Sequence, residues 1–229
     1  MAQKLYEEAN IQDIANAIRA KNGTTTTYKT NEMAAAIRNI ETSGGGTSDD
    51  LAKKMITREG IITELPSDIT KIGNSAFYNC GIHLALTSLP NSITSIGEWA
   101  FYNCSDITLA SLPSGITSIP SYAFYNCSKI TLTSLPDGVT SIGNSAFSNC
   151  QRIPTMSLPS GITNIDTSAF AYCYGLTSVT FKGTPSSISG DTFEWCDQLT
   201  TINVPWAEGA VANAPWGAEN ATINYNYTE

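Results

Sequence analysis

Apolar residues recur along this chain at the same places in a repeat of 23 or 24 residues. In the clearest copies a proline is followed by Ile or Val at the third residue and Ile at the sixth. A Phe then comes at the eleventh residue and a Cys at the fourteenth. The cysteines that mark the copies are Cys80, Cys104, Cys127, Cys150, Cys173 and Cys196. A fixed period of this length predicts a solenoid, in which each repeat forms one coil stacked on the next.

Within one coil, neither a sustained helical period nor a long alternation fits the apolar residues. The run 130–135 is β-prone and ends at a proline, which cannot donate an amide hydrogen to a strand ladder. A second short extended segment is predicted at 139–142. Asn144 or Ser145 is then placed to cap a single helical turn across 146–149. Each coil is therefore predicted to contain two short strands and one helical turn.

The repeated text resembles the BspA-type leucine-rich repeats, whose consensus is close to IGxxAFxxCxxLxxVxIPxxVTxI. The resemblance covers residues 61 to about 205, and it implies a right-handed solenoid of six coils with a face of parallel strands. Three coils depart from the consensus, with an inward Leu one residue before the expected Val: Leu86, Leu109 and Leu132. Val179 and Ile202 stand at the consensus position, so the strand face is expected to differ between the two halves. One extra residue near His83 is expected to form a bulge.

The N-terminal part of the chain carries a different pattern. Residues 5–21 have the apolar spacing of an amphipathic helix, and a second helix is predicted from Asn31 to Ile40. Together they predict a helical hairpin over residues 1–41. A Gly/Ser-rich stretch at 42–48 follows, with the composition of a flexible linker.

The remainder, residues 49–229, is assigned to the solenoid with a cap at each end. A short helix over 50–57 is expected to cap the first coil. At the other end, Trp206 and Trp216 are expected to cover the open core, followed by an alternating edge strand. The predicted fold class is therefore α+β: a leucine-rich-repeat solenoid with an N-terminal helical hairpin.

The hairpin segment has a resemblance of its own. Residues 11–40 read IQDIANAIRAKNGTTTTYKTNEMAAAIRNI. They are similar to the N-terminal segment of tail-associated structural proteins of phages and prophages infecting Gram-positive bacteria, which often reads IADAIRxKxGxxxxYxxxEMAxAI. The resemblance implies a docking or oligomerisation module that binds other virion or tail proteins. The residues alone equally allow a simple N-terminal appendage or cap.

Charge and composition narrow the class of partner. The formal net charge is -8, and the twelve basic residues form no patch or stripe, which disfavours nucleic acid. The N-terminus has no apolar segment typical of a signal peptide, and no stretch is long enough to span a bilayer. No membrane partner is therefore expected. The resemblance of residues 11–40 implies in addition a virion protein that is made in the host cytoplasm.

Residues that often carry chemistry are few in this sequence. All six cysteines hold the same coil position, so a ladder of buried, reduced thiols is expected rather than disulfides or a metal site. His83 is the only histidine, and no Cys-x-x-Cys pair accompanies it, which argues against zinc. The glycines at 44–46 are not followed by the Lys-Ser/Thr of a phosphate loop. A protein without enzymatic activity or cofactor is predicted.

Aromatic residues mark the candidate ligand-binding surface. They occupy variable positions beside the Ala-Phe pair in the first three coils: Tyr78, Trp99, Tyr102, Tyr122 and Tyr125. The fourth and fifth coils have small residues there: Ser145, Ser148, Ser168 and Ala171. Stacking by such rings suits a host-surface glycan or protein. The alternative is that the rings only pad the turn against the next coil.

The combined resemblances predict a phage or prophage tail or baseplate component that takes part in host-surface recognition. One alternative is a BspA-type bacterial surface adhesin, against which the missing signal peptide and wall anchor count. Another is an intracellular repeat scaffold. Each alternative is a non-enzymatic binding protein, and homo-oligomers are compatible with all of them.

Deleting residues 1–47 tests the predicted modularity. Because a glycine-rich linker makes few contacts, the truncated chain is expected to unfold as cooperatively as the full chain in a thermal scan. It is also expected to lose higher assembly on a sizing column. Loss of cooperative unfolding would show instead that the N-terminal segment belongs to the solenoid core.

Overall fold

The computed structural model of the chain describes residues 40–42, 62–81 and 84–228. The predicted helical hairpin lies outside these ranges except for its last residue, Ile40. The predicted 50–57 cap, most of the linker and the expected bulge at His83 also lie outside them.

Short strands form the frame of the described chain. In chain order they are β1 Ile40–Thr42, β2 Ile69–Ile72, β3 Ser95–Ile96, β4 Ser118–Ile119, β5 Ser141–Ile142, β6 Thr155–Leu158, β7 Asn164–Ile165, β8 Ser178–Phe181, β9 Ser187–Ile188, β10 Thr201–Asn203 and β11 Thr222–Asn224. The three sheets have the orders β1-β2-β3, β4-β5-β7-β9 and β11-β10-β8-β6. Sheet neighbours alternate in sequence because each later coil adds one strand to each of two faces. This winding confirms the predicted parallel-strand solenoid and makes about seven turns.

One face is built from the segment that follows the repeat proline. The predicted extended piece at 139–142 is confirmed in its second half, as β5, which pairs in parallel with β4 and β7. The face is interrupted between β3 and β4, at Pro120. In neighbouring coils, Gly97 and Gly143 donate the corresponding amide to the preceding coil, at 2.8 Å to the Ile72 and Ile119 carbonyls. Proline has no amide hydrogen, so this link is missing at the junction of the second and third coils.

The other face differs between the two halves, as the sequence predicted. Regular strands β6, β8, β10 and β11 occupy its C-terminal half. The strand expected at 130–135 is wrong: only Ser134 forms a bridge, to Ser157. There two consecutive residues, 133 and 134, are exposed between buried Leu132 and Leu135, and a pleated strand cannot present two neighbours on one side. In β6, Met156 and Leu158 alternate inward, and the ladder forms.

The third side of the coil holds the Ala-Phe pair, and the helical turn predicted for 146–149 is wrong. The segment is a pair of linked turns, in which Ser145 and Asn149 have left-handed φ values of 50° and 62°. Alternate amides donate to the next coil, as Phe147 does to the Ala169 carbonyl at 2.8 Å. The amides between them donate to carbonyls three residues back. A helical turn would direct its amides along its own axis and leave few for the neighbouring coil.

Phenylalanine fills the centre of every coil. Successive rings stack with centroids 5.2 to 5.7 Å apart and interplanar angles of 21° or less. All six are at most 1% exposed, and they are Phe77, Phe101, Phe124, Phe147, Phe170 and Phe193. The stack forms one continuous apolar column along the rod, because the repeat places each ring directly over the preceding one.

The cysteines form a second column beside the phenylalanines. All six are buried and free, as predicted. Five thiols donate a hydrogen bond of 2.9 to 3.2 Å to the Phe carbonyl of the preceding coil, and they are Cys104, Cys127, Cys150, Cys173 and Cys196. Burial raises the pKa of Cys104, Cys127, Cys150 and Cys173 well above the ordinary value of a thiol. The repeat therefore uses Cys as a small apolar residue that also satisfies a buried acceptor.

Both ends of the solenoid carry additional structure. At the C-terminal end, where a cover was expected, Trp206 and Trp216 are 6% and 0% exposed, and both rings contact Phe181. The chain also continues to wind, since β11 pairs in parallel with β10, so the predicted six coils become about seven turns. At the other end β1 pairs antiparallel with β2. Ile40 is therefore in a strand and not in the second predicted helix.

Thiol accessibility checks the cysteine column. Because all six thiols are buried and four have raised pKa values, none is expected to react with a thiol reagent in the native protein at neutral pH. Six are expected to react after denaturation without reductant. A count below six in the denatured protein would reveal a disulfide, and rapid native labelling would contradict the burial.

Candidate functional site

The five predicted site residues form one contiguous group, called here the N-terminal aromatic cluster: Tyr78, Trp99, Tyr102, Tyr122 and Tyr125. The rings of Tyr78, Tyr102 and Tyr125 stack in one column, with centroids 4.8 and 4.7 Å apart and interplanar angles of 7°. Trp99 and Tyr122 form a second column, 4.0 Å apart at 15°. The columns touch through Trp99 and Tyr102 at 5.0 Å. The structure therefore brings all five predicted residues together.

The backbone beneath Trp99 and Tyr122 is unusual for such large side chains. Both have left-handed φ values, 59° and 58°, at a position where Ser145 and Ser168 stand in later coils. Left-handed backbone costs a residue with a Cβ roughly 1–2 kcal/mol. An aromatic pair contributes about 0.5–1.5 kcal/mol beyond its buried area, so the Trp99–Tyr122 stack offsets part of that cost.

The same ring pair also bridges a weak junction. Trp99 belongs to the second coil and Tyr122 to the third, and Pro120 interrupts the strand ladder between those coils. The cluster therefore packs coil against coil, as the padding alternative expects. All five residues are nevertheless only partly buried, so each also keeps some of its surface accessible to solvent. The five side chains of the cluster therefore pack between coils and are also accessible to a ligand.

Tyr102 lies at the centre of the cluster. Burial, followed by the neighbouring phenols of Tyr125, Tyr78 and Tyr122, raises the pKa of Tyr102 above its ordinary value. A tyrosine hydroxyl is protonated at neutral pH even without such a shift, so the Tyr102 hydroxyl can donate a hydrogen bond to a ligand oxygen. The cluster combines aromatic edges with phenolic donors, a pairing that suits both sugars and protein surfaces.

Sequence reasoning missed a second set of aromatic residues, called here the C-terminal aromatic group: Tyr172, Tyr174 and Trp195. Their exposures are 41%, 43% and 55%, among the largest for apolar residues in the described chain. The sequence analysis compared only the positions directly beside the Ala-Phe pair, and in coils four and five these positions hold small residues. The rings instead stand next to the Cys, so comparing the residue before each Cys would have found Tyr172 and Trp195.

That position holds asparagine in the four preceding coils. The side chains form an amide ladder, each Nδ2 donating to the preceding Oδ1 at 2.6 to 2.9 Å, through Asn79, Asn103, Asn126 and Asn149. All four have left-handed backbone, which asparagine tolerates better than most residues. Tyr172 and Trp195 keep the left-handed φ, 60° and 59°, but cannot continue the ladder.

The carboxylate of Asp191 is one polar group that links neighbouring coils in the described chain. Ser189 of the same coil and Ser168 of the preceding coil both donate hydrogen bonds to the Asp191 carboxylate. Partial burial raises the pKa of Asp191, but these bonds outweigh it and lower the pKa overall.

Within the described ranges, no three His, Cys, Asp or Glu side chains converge as metal ligands would. No helix there has the length and apolar character needed to cross a membrane.

Comparison with protein families identifies the repeats. The BspA type Leucine rich repeat region matches in six copies, over residues 61–173 and 117–208. Together these ranges span residues 61–208, which is more than half of the chain and includes the stretch of 61 to about 205 that carries the repeat resemblance. No curated protein sequence matches the chain.

Solved structures with a similar fold come from several bacteria. A leucine-rich repeat protein from Bacteroides ovatus is 28% identical with a TM-score of 0.52, covering 64% of this chain and 40% of its own. The T. pallidum leucine-rich repeat protein is 30% identical with a TM-score of 0.54, covering 63% and 72%. The pneumococcal vaccine antigen PcpA, at 16% identity and a TM-score of 0.54 over 72% and 41%, shares the fold alone. The chain thus spans less than half of two of these proteins.

The asparagine ladder generates a stability test. Tyr172→Asn is expected to stabilise the protein by about 1 kcal/mol, because it removes a bulky left-handed residue and adds one amide hydrogen bond to Asn149. The free energy of unfolding is measured in urea at neutral pH. The reverse exchange Asn149→Tyr serves as the matched control and is expected to destabilise by a similar amount. A lower stability for Tyr172→Asn would show that the exposed ring holds the coils together.

Proposed function

Because the chain belongs to the BspA type leucine-rich repeat family, we propose that it is a non-enzymatic recognition protein that binds a glycan or protein on a cell surface. The N-terminal aromatic cluster is the single observation that carries this proposal. Five partly exposed aromatic residues lie on three adjoining coils of a rigid solenoid. The described residues offer no comparable group of catalytic side chains.

The cluster has the physical properties of a pre-formed binding surface. Its rings already stack on one another at 4.0 to 4.8 Å within the two columns, so they lose little side-chain freedom when a ligand docks. Phenol hydroxyls at the ring edges add directional hydrogen bonds. A rigid rod that displays such a surface also suits weak attachment repeated over many copies of the ligand, where avidity replaces single-site affinity.

Two biological settings are compatible with this activity. Family membership supports a surface protein of the adhesin type or a repeat scaffold as the leading setting. The second candidate is a phage or prophage tail or baseplate protein located in the virion. Its support is the resemblance of residues 11–40, which implies docking to other tail proteins and a possible homo-oligomer. Loss of co-assembly with tail proteins on deletion of residues 1–39, which spares β1, would favour the second setting.

The double variant Trp99→Ser/Tyr122→Ser tests the recognition surface. Serine stands at both positions in later coils, so the fold is expected to survive with a melting temperature within a few degrees of the parent. Binding to a glycan array and to whole bacterial cells is expected to fall at least about tenfold, since aromatic anchors commonly carry much of an interface's energy. Tyr227→Ser, which removes an exposed ring outside the cluster, is the matched control.

Two results would contradict the proposal. A stable double variant that binds as well as the parent would show that the cluster is not the recognition surface. A double variant that loses cooperative unfolding would show that the rings serve the junction at Pro120, and the padding alternative would then stand.

A further inference from the structure

The C-terminal aromatic group is arranged differently from the N-terminal cluster. Tyr172 and Trp195 are nearly parallel, at 9°, but their centroids are 6.3 Å apart instead of the 4.7–4.8 Å of the tyrosine column. Tyr174 meets Tyr172 edge-on at 6.3 Å and 71°. These rings therefore form an open corner with about half of each surface accessible. Padding between coils does not account for rings that are this exposed.

The backbone indicates that the aromatic residues are not required by the fold. The four preceding coils have asparagine at this place, with the same left-handed backbone and an added hydrogen bond. Tyr172 and Trp195 forgo that bond and are unfavourable in left-handed backbone. A locally unfavourable and exposed pair of rings is the kind of outlier from which a binding role is inferred.

A shallow depression of about 130 Å³ opens beside Trp195. Among the residues that line it are three acidic ones, Glu194, Asp197 and Glu219, and no lysine or arginine. The whole chain has a net charge of -8. An anionic ligand is disfavoured at such a place, and a cation is favoured. Among the ligands that an exposed tryptophan can bind, the acidic residues around Trp195 therefore favour a cationic one.

We propose that the C-terminal aromatic group and this depression bind an arginine side chain displayed by a partner protein. A guanidinium group can lie flat on the Trp195 ring while its N–H groups reach neighbouring carboxylates. A lysine ammonium offers a point charge without the planar face, so arginine fits the combination of ring and carboxylates better. This site is separate from the N-terminal aromatic cluster and does not depend on the function proposed for it.

The arginine site is tested with blocked peptides of alternating glycine and arginine, added to the full chain. The readout is the indole N–H resonance of Trp195, identified by its absence in Trp195→Asn. The arginine peptide is expected to shift this resonance, with an affinity that falls as salt is raised. The same peptide with citrulline, which keeps the shape and removes the charge, is expected to bind at least about fivefold more weakly.

Variants assign the contacts. Trp195→Asn restores the ladder residue, so its melting temperature is expected to be unchanged or higher while calorimetric binding of the arginine peptide falls about fivefold or more. Glu194→Gln/Glu219→Gln is expected to weaken binding and flatten its salt dependence. Trp99→Ser/Tyr122→Ser is the control and is expected to bind the peptide as the parent does.

The proposal would be overturned if the citrulline peptide bound as tightly as the arginine peptide, or if Trp195→Asn bound the arginine peptide as tightly as the parent does. It would also be overturned if the arginine peptide left the Trp195 resonance unshifted at millimolar concentration. If a neutral oligosaccharide shifted that resonance and the arginine peptide did not, the group would instead be a sugar-binding platform.

Discussion

The structure depends on one constraint: a coil cannot satisfy its own backbone and must exchange hydrogen bonds with its two neighbours. The chain meets this constraint in opposite directions on different sides. On the Ala-Phe side, Phe147 donates forward to Ala169, while in the strand face Gly143 donates back to Ile119. The Cys150 thiol completes the exchange by donating to the Phe124 carbonyl of the preceding coil. Each fixed residue of the repeat serves this exchange or fills the space it encloses.

In-register stacking follows from that exchange, and it places like residues over like. Phenylalanine rings, cysteine thiols and asparagine amides each form a column because the backbone holds successive coils in step. The same geometry makes a departure from the repeat conspicuous. Where Pro120 removes an amide, the strand ladder breaks, and the Trp99–Tyr122 stack lies across that junction. Where Tyr172 replaces asparagine, the amide column ends and a ring becomes exposed.

Much of the fold was predictable because the repeat reports which side chains point inward. The phenylalanine and cysteine columns, the burial of Trp206 and Trp216, and the difference between the two halves of the strand face follow from residue spacing. The linked turns at 145–149 were not predictable locally, since Ser-Ala-Phe also suits a helix start, and the sequence therefore predicted a helical turn there. The conformation of this segment is decided by acceptors in the next coil, at Thr167 and Ala169. Likewise, the C-terminal aromatic group was missed because its rings stand one or more residues away from the position compared.

The left-handed positions connect the fold to its two proposed recognition surfaces. Each aromatic set contains two large residues in left-handed backbone, Trp99 and Tyr122 in one and Tyr172 and Trp195 in the other. Ser145 shows that the same turn forms with a small side chain, so the repeat does not require the rings. A solenoid can tolerate such local costs because its stability is shared among many coil-to-coil interfaces. The residue type therefore differs between coils at positions whose side chains take no part in the backbone hydrogen bonds between coils. Large side chains at these positions change the surface of the solenoid without changing how the chain winds.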